Sequence, residues 1–307
     1  MSVHMSNIEP SKGAERWIAC LCALLFPVLS MLTIEPAHAE NPLWVKQQAP
    51  FKIFGNTYYV GTRGLSSVLV TSNDGHVLID GTLPQNAGAI AANVRSLGFK
   101  IEDVKLILNS HAHSDHAGAI AELQRLSGAA VVSSAAGAAA LRAGRGGKDD
   151  PQFEYGDSFP PVPAAQAVSD GETLHPNGAA ITAHYTPGHT PGAMSWSWKS
   201  CEKERCLKLV YADSLNAVSD DSFKFTGGAR YPSVLKDFEQ SFRTVEALPC
   251  DILIAAHPEF ADLWSHFERQ QAGIADAFVD TSSCRSYAAA ARKRLEQRVT
   301  QERTVAE

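Results

Sequence analysis

The sequence predicts an α/β protein in which two β-sheets pack face to face with helices on their outer sides. Three observations carry this. Strand signals come in runs followed by helical stretches, without the regular alternation that builds one parallel sheet. Two patterns, VKLILNS and DILIAAH, are continuous apolar runs, as expected of strands covered on both faces. No linker rich in Pro, Ser or charge splits the chain. The composition agrees: 45% hydrophobic and 20% charged over 307 residues is globular and excludes disorder, collagen and coiled coil. A net charge of −6 argues against a nucleic-acid partner.

Residues 1–39 read as a signal peptide. The apolar run Ile18 to Ile34 follows Lys12 and Arg16 and precedes Ala37-His38-Ala39. Small residues at the first and third places of that triplet suit a signal peptidase, so cleavage is expected before Glu40. A retained membrane anchor is the competing reading; Pro27 and the lack of a basic stop-transfer flank weigh against it. Cys20 and Cys22 open the apolar run, where a lipidated cysteine would not sit. Residues 40–307 are then a single domain.

Within it, residues 40–50 read as a loose arm. KIFGNTYYVGT suggests two strands turning at Gly55-Asn56, and SSVLVTS and HVLID flank the hairpin signal Asn73-Asp74-Gly75. Pro84 opens a helix, with Gly98 suited to its C′ position. VKLILNS is a strand ending in HAHSDHAG, and AIAELQRLSG a helix. VVSS and AAGAAALRAG give another strand and a short helix; residues 144–165 are irregular. AAITAHYT, MSWSW, KLVYADS and DILIAAH are strands. VLKDFEQSFRTVEAL, 261–272 and 286–299 are helices.

The expected mature chain keeps four cysteines, Cys201, Cys206, Cys250 and Cys284. An even number in an exported chain reads as disulfides, with three connectivities. Cys201 and Cys206 flank EKER, which looks like a hairpin tip; pairing them leaves Cys250 with Cys284. Buried free thiols are the rival reading of the second pair, and no CxxC spacing supports a zinc ribbon.

The chemistry gathers at strand ends. His111, His113, Asp115 and His116 follow one apolar strand directly; His189 lies in TPGHTPG and His257 in AAHPEF. Imidazole is a good zinc ligand, and a carboxylate can complete a second site. One site would take His111, His113 and His189, the other Asp115, His116 and His257. Three protein ligands per ion leave positions open for water and substrate, as catalytic zinc requires. His184 reads as structural or as a support for a ligand. His76, His175 and His266 read as surface or packing residues. Asp74, Asp80 and Asp103 read as turn or structural residues. Ser200 to Lys203 matches S-x-x-K, but no SDN or KTG partner exists and no G-x-S-x-G occurs, so a serine mechanism finds no support.

HAHSDHAG, with HYTPGHTPGAMSW, VYADSL, VLIDGTLPQNA and ILIAAHPEF, resembles the metallo-β-lactamase superfamily over roughly residues 51–265. The HTPGHTPG-like turn and the His-Pro narrow the resemblance to the third subclass of class B β-lactamases. It implies a four-layer αββα sandwich of two mixed sheets, two zinc ions per chain, and periplasmic hydrolysis of β-lactam antibiotics by a zinc-activated water, with antibiotic resistance as the result. Asp115 then orients the nucleophile as a catalytic residue. The resemblance gives Ser214 the site-facing role and Asp213 a structural one. Asn216 stands where a serine that holds the substrate carboxylate is common, and its amide can donate the same bond. The partner implied is a small β-lactam, the chain acting as a monomer with no nucleic acid and, after cleavage, no membrane. A thioesterase or lactonase of glyoxalase type, or a zinc-binding protein without turnover, is the alternative.

Overall fold

Alternation along the strands decides which layer each side chain meets. The computed structural model describes residues 41–305; the expected leader and its cleavage point lie outside the described residues. Residues 41–305 belong to one compact unit. The first sheet runs β1 (Phe51–Phe54), β2 (Thr57–Tyr59), β3 (Val68–Val70), β4 (His76–Ile79), β5 (Val104–Leu108), β6 (Ala130–Ser133) and β7 (Gln166–Ala167), neighbours in that order. Its first four strands are antiparallel and β4 to β7 are parallel. The parallel part is wound through α1 (Ala87–Ser96), α2 (Ser114–Ala117), α3 (Ile120–Ser127) and α4 (Ala135–Ala143).

The second sheet holds β8 (Thr173–Leu174), β9 (Ile181–Tyr185), β10 (Met194–Glu202), β11 (Arg205–Ala212) and β12 (Ile252–Ala255). It is antiparallel except where β11 and β12 run parallel, across α5 (Val234–Ala247). The helices α6 (Leu263–Gln271) and α7 (Ser283–Val305) close the chain.

Successive residues of one strand enter different cores, as a period of two requires. Val68, Val70, Leu209, Tyr211, Ile252 and Ile254 lie between the sheets with the fully buried Trp196. Leu69 faces out to a core shared with Ile90 and Val94 of α1 and Leu123 of α3. Val210 and Leu253 face out to Phe238 and Phe242 of α5 and Ala288 and Ala291 of α7. Helix, sheet, sheet, helix is the resulting order of layers.

Some boundaries differ from expectation. The hairpin tip is tighter than EKER: strand pairing runs to Glu202 and Arg205, leaving Lys203 and Glu204 to turn. Cys201 and Cys206 therefore face each other across the ladder and are bonded. The helix expected from 261 starts at Leu263, because Asp262 takes a left-handed φ of 50° after a separate turn at Pro258–Ala261. The last helix is longer than 286–299 and begins beside Cys284, which is bonded to Cys250. β7 and β8 hold two residues each, too short to leave a pattern in sequence. Among the described residues no helix is long and apolar enough to cross a membrane.

Candidate metal centre

Parallel strands deliver their C-terminal ends to one edge, and the ligand candidates meet there. The loop after β5 carries His111 and His113, and α2 carries Asp115 and His116. The turn between β9 and β10 carries His189, and the residue two places after β12 is His257. Glycines let the His189 turn approach its neighbours. Gly188 has φ 138° and packs against the Phe238 ring, and a Cβ on Gly192 would lie 2.3 Å from the Gly137 nitrogen.

Ligand atoms of His111, His113 and His189 lie within 4.8 Å of one another. Each ring is held by its other nitrogen, which settles the one that faces the site. His111 Nδ1 lies 2.6 Å from Asp213 Oδ1, and its buried Nε2 has no partner. His113 Nε2 lies 3.0 Å from Asp150 Oδ2. His189 Nδ1 donates to the Asn216 carbonyl at 2.8 Å. Gln152 Nε2 stands 3.4 Å from His113 Nδ1 and 3.5 Å from His189 Nε2, a donor placed where a cation would be bound.

The second trio converges more tightly. His116 Nε2 and His257 Nε2 are 3.2 Å apart, and Asp115 Oδ2 lies 3.2 Å from the first and 3.4 Å from the second. Tetrahedral zinc with bonds of about 2.0–2.1 Å sets its ligand atoms about 3.3–3.4 Å apart. Two imidazole nitrogens and a carboxylate at that spacing fit the ion. His111 also lies within 4.8 Å of Asp115 and His116. The 3.2–3.4 Å contacts favour His257 as the third ligand of this trio, with His111 between the two centres.

Charge separates the ligands. Burial and the imidazoles of His116, His189 and His113 push the His111 pKa well below its ordinary value. Burial and His113 hold His189 at about 3, so both rings are neutral and free to ligate. For His116, burial is outweighed by Asp115 and Asp80, which raise it to about 9. His113 is likewise raised, Asp150 outweighing burial. The Asp115 carboxylate is buried, yet the His116 and His257 rings hold its pKa well below the usual range.

Several supports of the site carry no local signal in sequence. Asp80, at the end of β4 with φ 60°, accepts from Ser110 and the Tyr211 hydroxyl and comes within 3.6 Å of His116 Nδ1. Its role is thus the structural one among the readings expected of it. Asp150 and Gln152 belong to the irregular 144–165 stretch. Asp213 supports His111, and Ser214 beside it is buried. The Asn216 side-chain oxygen accepts from Arg294 of α7 at 2.7 Å. His184 lies away from the trios, bonded to Ser197 at 2.7 Å. Ser200 of the S-x-x-K match donates to the Phe54 carbonyl and to Asn56. A cavity of about 470 Å³ flanks the first trio, lined by Ala112, Ala136, Arg145, Asp150, Phe153 and Thr190.

The model of the metallo-β-lactamase superfamily matches residues 60–202. The chain is similar to the solved Rm3 metallo-β-lactamase, with 55% identity and a TM-score of 0.84, covering 85% of this chain and 97% of that one. It is similar to MEM-A1, a subclass B3 metallo-β-lactamase from a soil metagenome library, at 50% identity and a TM-score of 0.83, covering 85% and 99%. Among curated proteins it is 26% identical over 202 residues to an atrochrysone carboxyl ACP thioesterase of Aspergillus fumigatus, 66% of this chain and 50% of that protein. It is also 26% identical over 182 residues to a hydroxyacylglutathione hydrolase of Cereibacter sphaeroides, 59% of this chain and 57% of that one. The chain thus spans about half the length of these curated relatives.

Proposed function

The chain belongs to the metallo-β-lactamase superfamily as a metallo-hydrolase, and from that premise we propose that it hydrolyses the amide of β-lactam rings at a two-zinc centre. The observation that carries the reading is the pair of converging trios, each with three ligands, at the open edge of two sheets. His111, His113 and His189 would hold one ion; Asp115, His116 and His257 would hold the other. Bound there, zinc supplies Lewis-acid polarisation of the lactam carbonyl and acidifies water towards a pKa of about 7.

The protein's residues supply orientation. Asp115, ionised between two imidazoles, is an acceptor that can align the attacking water. Asp213, Asp150 and the Asn216 carbonyl fix the rings of the first trio. Ser214 and Asn216 lie at the end of β11, where the substrate carboxylate is expected. Ser200 is engaged by backbone and Asn56, so no acyl-enzyme is expected from it. Residues 1–39, with their apolar run, are proposed as a cleaved export signal, placing the enzyme in the periplasm.

The second reading, a thioesterase or glyoxalase-type hydrolase, draws on the two curated relatives. Such a site commonly uses a bridging carboxylate near Asp213. Here Asp213 Oδ1 engages the Nδ1 side of His111, away from the nitrogen that faces the site. Turnover of nitrocefin and benzylpenicillin beside S-lactoylglutathione and acyl-CoA thioesters separates the readings. The proposal expects the lactams to be cleaved with the higher kcat/KM; thioester preference would replace it with the second reading.

A further inference from the structure

Arg294 is out of balance with its surroundings. It lies on α7, 78 residues beyond Asn216 in sequence, yet its Nε donates to Asn216 Oδ1 at 2.7 Å. Its Nη2 is buried without a hydrogen-bond partner. Its guanidinium lies 4.9 Å from the centre of the Phe260 ring, and no carboxylate pairs with it among the described residues. The neighbouring arginines of the same helix differ: Arg292 pairs with Glu246 and Glu239, and Arg298 with Glu302. A half-buried cation left uncompensated is costly, and such costs concentrate at functional sites.

Its two neighbours place it. Asn216 receives the His189 ring on its carbonyl, and the Phe260 ring lies 6.2 Å from the His257 ring. Arg294 is therefore bracketed by residues that touch one ligand of each metal trio. The bond to Oδ1 also fixes the Asn216 amide, because an arginine only donates and must face the oxygen. The Asn216 Nδ2 is thereby left as a donor with no hydrogen bond to the described residues.

We propose that Arg294 is a specificity-determining residue that makes Asn216 a carboxylate receptor, orienting its amide and supplying the positive charge of that subsite. This rests on the β-lactamase reading above for the identity of the carboxylate. Asparagine alone offers a neutral donor. Coupled to an uncompensated guanidinium it offers a charge-assisted site, which discriminates an anion from its ester. The guanidinium lies over the Phe260 ring, which is 39% exposed.

The test compares the zinc-loaded wild type with Arg294→Ala and Arg294→Lys on benzylpenicillin and its methyl ester. It also measures, by calorimetry, binding of benzylpenicilloate with the thiazolidine carboxylate free or methylated. The expectation is that Arg294→Ala raises KM for the acid about ten- to a hundredfold, the range of a hydrogen bond to a charged group. kcat should fall far less, the ester should lose little, and Arg294→Lys should recover part of the loss. Equal losses on acid and ester, or a fall confined to kcat, would mean that Arg294 serves only packing, and would overturn the proposal. If the wild type cleaves no β-lactam, the reading above fails, and the penicilloate then decides this inference alone. Acid-selective binding lost in Arg294→Ala keeps it; unselective or absent binding ends it.

Discussion

His189→Ala removes one imidazole from the first trio, and Asp213→Asn keeps an oxygen acceptor behind another. The two changes therefore separate ligand from support. His189→Ala should drop turnover by at least about two orders of magnitude and bound zinc towards one per chain, beyond the roughly 10–100-fold typical of supporting residues. Asp213→Asn can still accept from His111 Nδ1, so two zinc ions should remain and activity should fall by about tenfold or less. Metal analysis with steady-state kinetics checks both, and loss of a zinc ion in Asp213→Asn would mark Asp213 as a bridging ligand. At this scale the sequence exposes the ligand candidates because H-x-H-x-D-H is compressed into one turn. It hides Asp80, Asp150, Gln152 and Arg294, whose pairings exist only after distant strands and helices meet at one edge.

Elements hold these residues in place through a few cross-links. Asp220 ties the segment after β11 to the 150–155 turn that carries Asp150 and Gln152. It accepts from the Glu154 and Phe223 amides and pairs with Arg230 at 3.0 Å. Burial opposes its charge, but Arg230 and Ser222 hold its pKa far below the usual value. A depressed carboxylate contributes stability above its unfolded pKa of about 3.9, and loses it as pH falls towards the folded value. Melting temperature should therefore fall between about pH 5 and pH 2 more steeply in the wild type than in Asp220→Asn. Parallel curves would show that Asp220 carries no such linkage.

The Cys250–Cys284 bond joins Cys250, two residues before β12, to the start of α7, with a separation of 34 residues. Chain entropy assigns such a loop about 3.8 kcal/mol at most. Cys284→Ser should lower the melting temperature by up to about 10 °C in a chain of this size, while zinc content stays near two at moderate temperature. Unchanged melting would show that packing of α7 on Phe238 and Phe242 suffices. Most elements were legible because their periodicity is strong, as in α5, where Phe238, Phe242 and Val245 recur at helical spacing. The two-residue strands β7 and β8 were not, since pairing with β6 and β9 creates them and no pattern within them does.

At the scale of the whole molecule, two sheets bring their strand ends to a common edge, and six ligand candidates from three separate segments meet there. The order of layers was legible from alternation and from apolar runs covered on both faces. The relation between α7 and the site was not, because nothing in a charged amphipathic helix says which loop it will overlie. The account's central claim is that two ions held by these six residues drive β-lactam hydrolysis. The direct measurement is a zinc titration of chelator-stripped protein, following bound zinc by elemental analysis and nitrocefin turnover in the same samples. The account predicts that turnover, absent in the stripped protein, returns with zinc and saturates at two ions per chain. Saturation at one ion per chain or fewer, or turnover that survives stripping, would contradict it.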